Sequence, residues 1–115
     1  MRYLLLMYGE EAAGETPGAM PEERAAEWDA FWREQEPSGP VVQWAALQPS
    51  ALARTVRVRG GERLVVDGPF AETKEQLGGY ILIECASLDE ALAFAERVPC
   101  GPHGSIELRA PRRPA

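Results

Sequence analysis

Residues 2–8 are apolar at every position after the first: Arg2-Tyr3-Leu4-Leu5-Leu6-Met7-Tyr8. An unbroken apolar run of strand length predicts a central strand buried on both faces. Residues 9–20 are small and polar, with Gly14, Pro17 and Gly18, and predict a loop. At Pro21-Glu22-Glu23 the period changes. Proline suits the first turn of a helix, and acids there favour the helix dipole. Ala25, Trp28 and Trp32 recur at i, i+3 and i+7 with Phe31 beside them, which predicts a helix with one apolar face. Pro37-Ser38-Gly39-Pro40 ends it.

The second half is richer in strands. Residues 41–47 predict one. From Arg54, the polar Thr55, Arg57 and Arg59 alternate with Val56 and Val58, so one face is wet and one buried. Gly60-Gly61 is a two-residue hairpin turn, and residues 62–66 return as the partner strand. Residues 79–85, with Tyr80-Ile81-Leu82-Ile83, are another apolar strand. Ser87-Leu88-Asp89-Glu90 reads as a capping box in which Ser87 and Glu90 satisfy each other's amides. Leu88, Ala91, Leu92 and Ala95 form the inner stripe of the helix it starts, and Pro99 stops that helix. Residues 105–109 are a last strand, and the tail 111–115 is expected to fray. The order β-α-β-hairpin-β-α-β predicts an α+β protein of ferredoxin-like, split βαβ plan. Two helices cover only one face of such an antiparallel sheet. The apolar residues Leu4, Leu6, Leu5, Met7, Ile81, Leu82 and Ile83 supply both faces, so a homodimer packed sheet to sheet is expected to cover the other.

With 115 residues and no linker, repeat or low-complexity core, residues 1–115 form a single domain. The net charge of −6, from 18 acidic and 12 basic residues, argues against direct nucleic-acid binding, which needs a basic surface. No apolar run approaches the ~20 residues of a membrane span, and residues 3–8 are too short for a signal peptide. A cytoplasmic protein without membrane contact is expected. Cys85 and Cys100 flank a helix roughly 16 Å long, which sets them too far apart for a disulfide. They belong to no metal-ligand pattern, so neither a metal nor a cofactor is expected.

The stretch Asp67-Gly68-Pro69-Phe70-Ala71-Glu72-Thr73-Lys74-Glu75-Gln76-Leu77-Gly78-Gly79-Tyr80 is the most distinctive in the chain. Together with residues 2–8, Leu47-Gln48-Pro49, Asp89-Glu90-Ala91-Leu92 and Gly104-Ser105-Ile106-Glu107-Leu108-Arg109, it resembles the YCII-related proteins of the DGPF type. The resemblance spans nearly the whole chain, and the part from Asp67 to Gly79 is the specific one. It implies a ferredoxin-like fold in a dimeric, barrel-like α/β assembly. It also implies a link to extracytoplasmic-function sigma factors, beside which many relatives are encoded. A wider branch resembles small-molecule enzymes, with a proposed His–Asp acid/base pair. This chain departs from that branch, because its first histidine is His103.

Candidate chemistry is sparse. Asp67 is expected to bind backbone amides of its own turn as an Asx-turn, with Gly68 and Pro69 fixing the bend; its sharper reading is a general base at a strand end. Phe70 reads as core, or as a pocket wall. Glu72, Lys74 and Glu75 read as a solvated ion-pair cluster, or with Glu72 and Lys74 facing a cleft at i and i+2. Gly78-Gly79 allows close backbone approach or a bulge. Tyr80 is a half-buried strand tyrosine whose hydroxyl could serve the same cleft. Trp28 lines the core, or an apolar cleft between helix and sheet. His103, alone in titrating near neutrality, reads as a surface residue unless Asp67 or Glu72 approaches it to form a dyad. Two functions follow. One is a non-catalytic dimeric module, ligand-binding or regulatory, tied to a sigma-factor pathway. The other is a cofactor-independent acid/base enzyme acting on a small polar or aromatic molecule, with Asp67, Lys74 and His103 as its catalytic candidates and Phe70, Glu72, Tyr80 and Trp28 as its ligand contacts.

Overall fold

The two most apolar runs pair in the middle of one sheet. In the computed structural model, which describes residues 1–11, 21–100 and 103–113, β1 (Arg2–Gly9) runs antiparallel to β5 (Gln76–Glu84). Tyr3 lies opposite Ile83 and Leu5 opposite Ile81. β2 (Val41–Ala46) flanks β5 and β6 (Ser105–Arg109) flanks β1, so the order is β2-β5-β1-β6 with every pairing antiparallel. β1 and β2, joined through α1 (Glu22–Glu34), thus straddle β5. The fold is α+β, and the sheet stays open; no barrel closes within the chain among the described residues. The predicted loop around Gly14, Pro17 and Gly18 lies outside the described residues, as do Gly101, Pro102 and residues 114–115.

Alternation along the strands sorts the side chains. Tyr3, Leu5, Met7, Ile81 and Ile83 face the helices and join Phe31 of α1, Ala91, Phe94 and Ala95 of α2 (Leu88–Arg97), and Val98 just after it, in one core. Leu5, Ile81, Ile83 and Val98 are wholly buried, each contributing about 1.5–3 kcal/mol by leaving water. Both helices therefore lie on one face. The opposite face presents Leu4, Leu6, Leu82 and Tyr80.

α1 keeps most of its expected stripe: Phe31 is in the core and Trp28 and Trp32 pack against it, joined by a buried Arg24, while Ala25 is exposed. α2 is turned relative to its expected stripe. Its inner positions are Ala91, Phe94 and Ala95, while Leu88 and Leu92 are 48% and 44% exposed. Two apolar stripes overlap on α2, and the one with the phenyl ring wins because it removes more area from water. The capping box is also only half formed. Ser87 Oγ accepts the Glu90 amide at 3.2 Å, but Glu90 Oε2 accepts from the Ala86 amide at 2.8 Å, one residue before the serine. Pro99 ends α2 as expected, since the residue before a proline avoids helical ψ, and Val98 sits at φ −71°, ψ 128°.

β3 (Arg54–Arg59) and β4 (Glu62–Asp67) form a separate two-stranded sheet. Gly60 and Gly61 turn it with φ of 59° and 80°, the left-handed pair that such a hairpin needs. The expectation of one buried face fails here. Val56, Val58, Leu64, Val65 and Val66 are all at least half exposed. Gly78 is the extra residue of a bulge, where the register passes from Met7–Gly79 to Tyr8–Leu77.

Candidate functional site

The segment from Asp67 to Gln76 begins as a latch on the hairpin. Asp67 lies opposite Arg54 in the ladder, and its Oδ1 is 3.1 Å from Arg54 Nε. The Gly68 amide donates to the Ala53 carbonyl at 2.7 Å, and Thr55 Oγ1 donates to the Gly68 carbonyl at 2.8 Å. The expected Asx-turn is not the arrangement found. Its bond would go to the amide two residues on, and that residue, Pro69, has none. Phe70, expected in the core, is 80% exposed.

The following loop is tied to the far end of β1. Gln76 Nε2 donates to the Thr73 carbonyl at 3.1 Å. Lys74 Nζ lies 3.3 Å from Glu10 Oε1, and Ser105 Oγ donates to Glu75 Oε2 at 3.2 Å. Nearby, Glu11 clamps the 3₁₀ turn Ser50–Leu52, its carboxylate accepting both the Ser50 amide at 2.7 Å and the Ser50 hydroxyl at 2.8 Å. Glu10, Glu11 and Glu75 thus hold three loops around one sheet end through Lys74, Ser50 and Ser105. Glu72 is exposed beside them.

His103 reaches the same end from the helix side. Gly104, next to it, packs against the Tyr8 carbonyl. Its Nε2 is 3.9 Å from Glu27 Oε2 on α1, and the same oxygen is 3.7 Å from Arg24 Nε. The segment after Asp67 and the start of the last strand do meet, through Glu75 and Ser105, but the carboxylate beside His103 is Glu27 rather than Asp67 or Glu72. Arg24 and Glu27 were not among the candidates. Arg24, itself buried, stands at i, i+4 and i+7 with Trp28 and Phe31, so extending the stripe through a charged residue is the signal that finds them.

Tyr80 and Trp28 lie elsewhere. The Tyr80 hydroxyl accepts from Gln43 Nε2 at 2.9 Å on the helix-free sheet face. Trp28 stacks at 6.3 Å on Trp32, which stacks at 4.4 Å on Trp44 of β2. The Trp28 indole N–H is enclosed without an acceptor among the described residues. A cleft of about 540 Å³ opens at the other end of the sheet, between α2 and residues 38–40, lined in part by Glu84, Cys85, Glu90 and Arg97. None of the sequence candidates lines it. The thiols of Cys85 and Cys100 are unbridged; they contact the carbonyls of Ser87 and Tyr8. Among the described residues, no group of three or more His, Cys, Asp or Glu side chains is arranged to hold a metal ion. No helix there is long and apolar enough to cross a membrane.

A four-stranded antiparallel sheet with two helices on one face, joined to the Asp67–Gly79 signature, defines a small α+β domain. The chain belongs to the YCII-related family, whose domain model matches residues 1–112. It is 45% identical over 112 residues to an uncharacterized protein of Rhizobium meliloti (strain 1021), a match covering 95% of this chain and 90% of that protein.

Proposed function

We propose that this chain is a homodimeric binding or regulatory module of ferredoxin-like plan and DGPF type, acting in the cytoplasm. The strand order β2-β5-β1-β6, with α1 carrying the chain from β1 across to β2, supports the split βαβ plan. The observation that carries the dimer is the uncovered sheet face. Leu4 and Leu6, partly exposed, sit at its centre beside a Leu82 that is 7% exposed, inside a polar rim of Arg2–Glu84, Gln43–Tyr80 and Arg109–Glu107 pairs. An apolar centre with a paired polar rim is the anatomy of a protein interface. The ligand-binding side of this reading draws on the 540 Å³ cleft, and the sigma-factor link draws on the family resemblance. Light scattering tests the dimer. The 12.6 kDa chain should run at twice its mass, and Leu6→Asp should halve that mass while leaving the far-ultraviolet spectrum unchanged. A wild-type monomer at every concentration overturns the reading.

A second reading, an acid/base enzyme, is favoured by one contact: Glu27 beside His103. Asp67 and Lys74 would then act from the latch and the loop, where Arg54 and Glu10 now hold them. Under it, His103→Ala abolishes turnover of whatever small molecule a substrate screen identifies.

A further inference from the structure

The β3–β4 hairpin exposes aliphatic side chains on both faces, among Arg54 and Arg63 on one and Thr55, Arg57 and Arg59 on the other, and has no further strand partner among the described residues. Cross-strand pairing places Val56, Val65 and Val58 on one face and Val66 and Leu64 on the other. Their exposures run from 50% to 62%, and Phe70 and Leu52 at its base are 80% and 62% exposed. A lone two-stranded hairpin is marginal in water, and five exposed aliphatic side chains call for something to cover them. Its charge identifies what. Residues 54–67 carry four arginines against Glu62 and Asp67, a net +2, so the rest of this −6 chain carries −8. The arm is therefore opposite in sign to the body of a second copy, a local complementarity set against the repulsion of two −6 chains.

One surface on that body has the complementary chemistry. Trp44, 49% exposed on the edge strand β2, stacks on Trp32, and α1 beside it carries exposed Asp29, Arg33 and Glu34, the last already 3.5 Å from Arg97. β2 carries no charged residue, whereas the other edge strand, β6, carries Glu107 and Arg109. Charges guard a sheet edge against pairing, and β2 has none. An exposed indole on an uncharged edge strand receives arginines over its face and valines beside it.

We infer that the hairpin is an arm that docks on the Trp32–Trp44 ledge of a second copy, each copy giving one arm and receiving one. This rests on the homodimer reading and names the partner's contribution to it. Two arms and two seats add to the sheet-face contact toward the roughly 800 Å² per partner of a standard interface.

The test is sedimentation of the full chain in four forms: wild type, Val65→Asp (arm), Trp44→Ala (seat) and Leu6→Asp (sheet face). The arm and the seat variant should each weaken association at least tenfold with an unchanged far-ultraviolet spectrum. Val65→Ser serves as the milder arm variant should the aspartate unfold the hairpin. Mixing the arm variant with the seat variant should recover association, because one intact arm then meets one intact seat. Arm variants that associate as tightly as wild type, or a mixture no tighter than its components, overturn the arm. If Leu6→Asp still splits that dimer, the sheet-face reading stands without it. A monomeric wild type overturns both.

Discussion

At the scale of single residues, Gly104 has the least room for a side chain among the described glycines. A β-carbon there would lie 2.0 Å from the Tyr8 carbonyl oxygen, and backbone on both sides leaves nothing flexible to yield. Gly104→Ala should cost about 1–3 kcal/mol or more through overpacking. It would read as a lower urea midpoint at constant slope; an unchanged midpoint would mean that β6 docks differently. Residue chemistry was the least legible level of the sequence. Asp67 was visible as a turn opener, but its partner Arg54 is set by hairpin register, which places the two opposite each other. The partner of His103 depends on how α1 lies over the sheet, and no local pattern encodes that. Pro69 alone held a readable clue, because a residue without an N–H cannot close an Asx-turn.

At the scale of elements, hydrophobic periodicity located every strand and both helices, because strand and helix periods are set by the backbone. It was weaker on which side of a helix faces in. On α2, Leu88-Ala91-Leu92-Ala95 and Ala91-Phe94-Ala95-Val98 are both valid stripes, and only packing against Phe31, 5.8 Å from Phe94, chooses between them. The choice is measurable. Phe94→Ala should cost about 3–5 kcal/mol as a buried aromatic truncation, whereas Leu92→Ala should fall within the ±0.5 kcal/mol of surface changes. Equal losses in urea titrations of the two variants would reinstate the predicted stripe. The hairpin marks a different limit. Its alternating pattern announced strands correctly, yet alternation presumes a core on one side, and this hairpin has none among the described residues.

For the whole molecule, charge distribution separates two ways of holding a dimer. The sheet face is apolar at its centre, and its charges, Arg2–Glu84 and Arg109–Glu107, are neutralised within each copy. Contact through it alone should be nearly indifferent to salt, or tighten slightly as water becomes a poorer solvent for apolar surface. An arm of +2 on a body of −8 behaves otherwise, since screening shortens its attraction from a Debye length of about 10 Å near 0.1 M salt to about 3 Å near 1 M. The dimer dissociation constant should therefore rise several-fold across that range, and most of the change should lie in the association rate, where steering acts. Arg57→Glu with Arg59→Glu, which reverses the charge of the arm while keeping its valines, should weaken the dimer at low salt and invert the salt dependence, so that added salt tightens it. Sedimentation across a salt series reads both effects. A wild-type dimer whose affinity is flat with salt would assign cohesion to the sheet face, and leave the hairpin's exposed valines facing a partner other than a second copy.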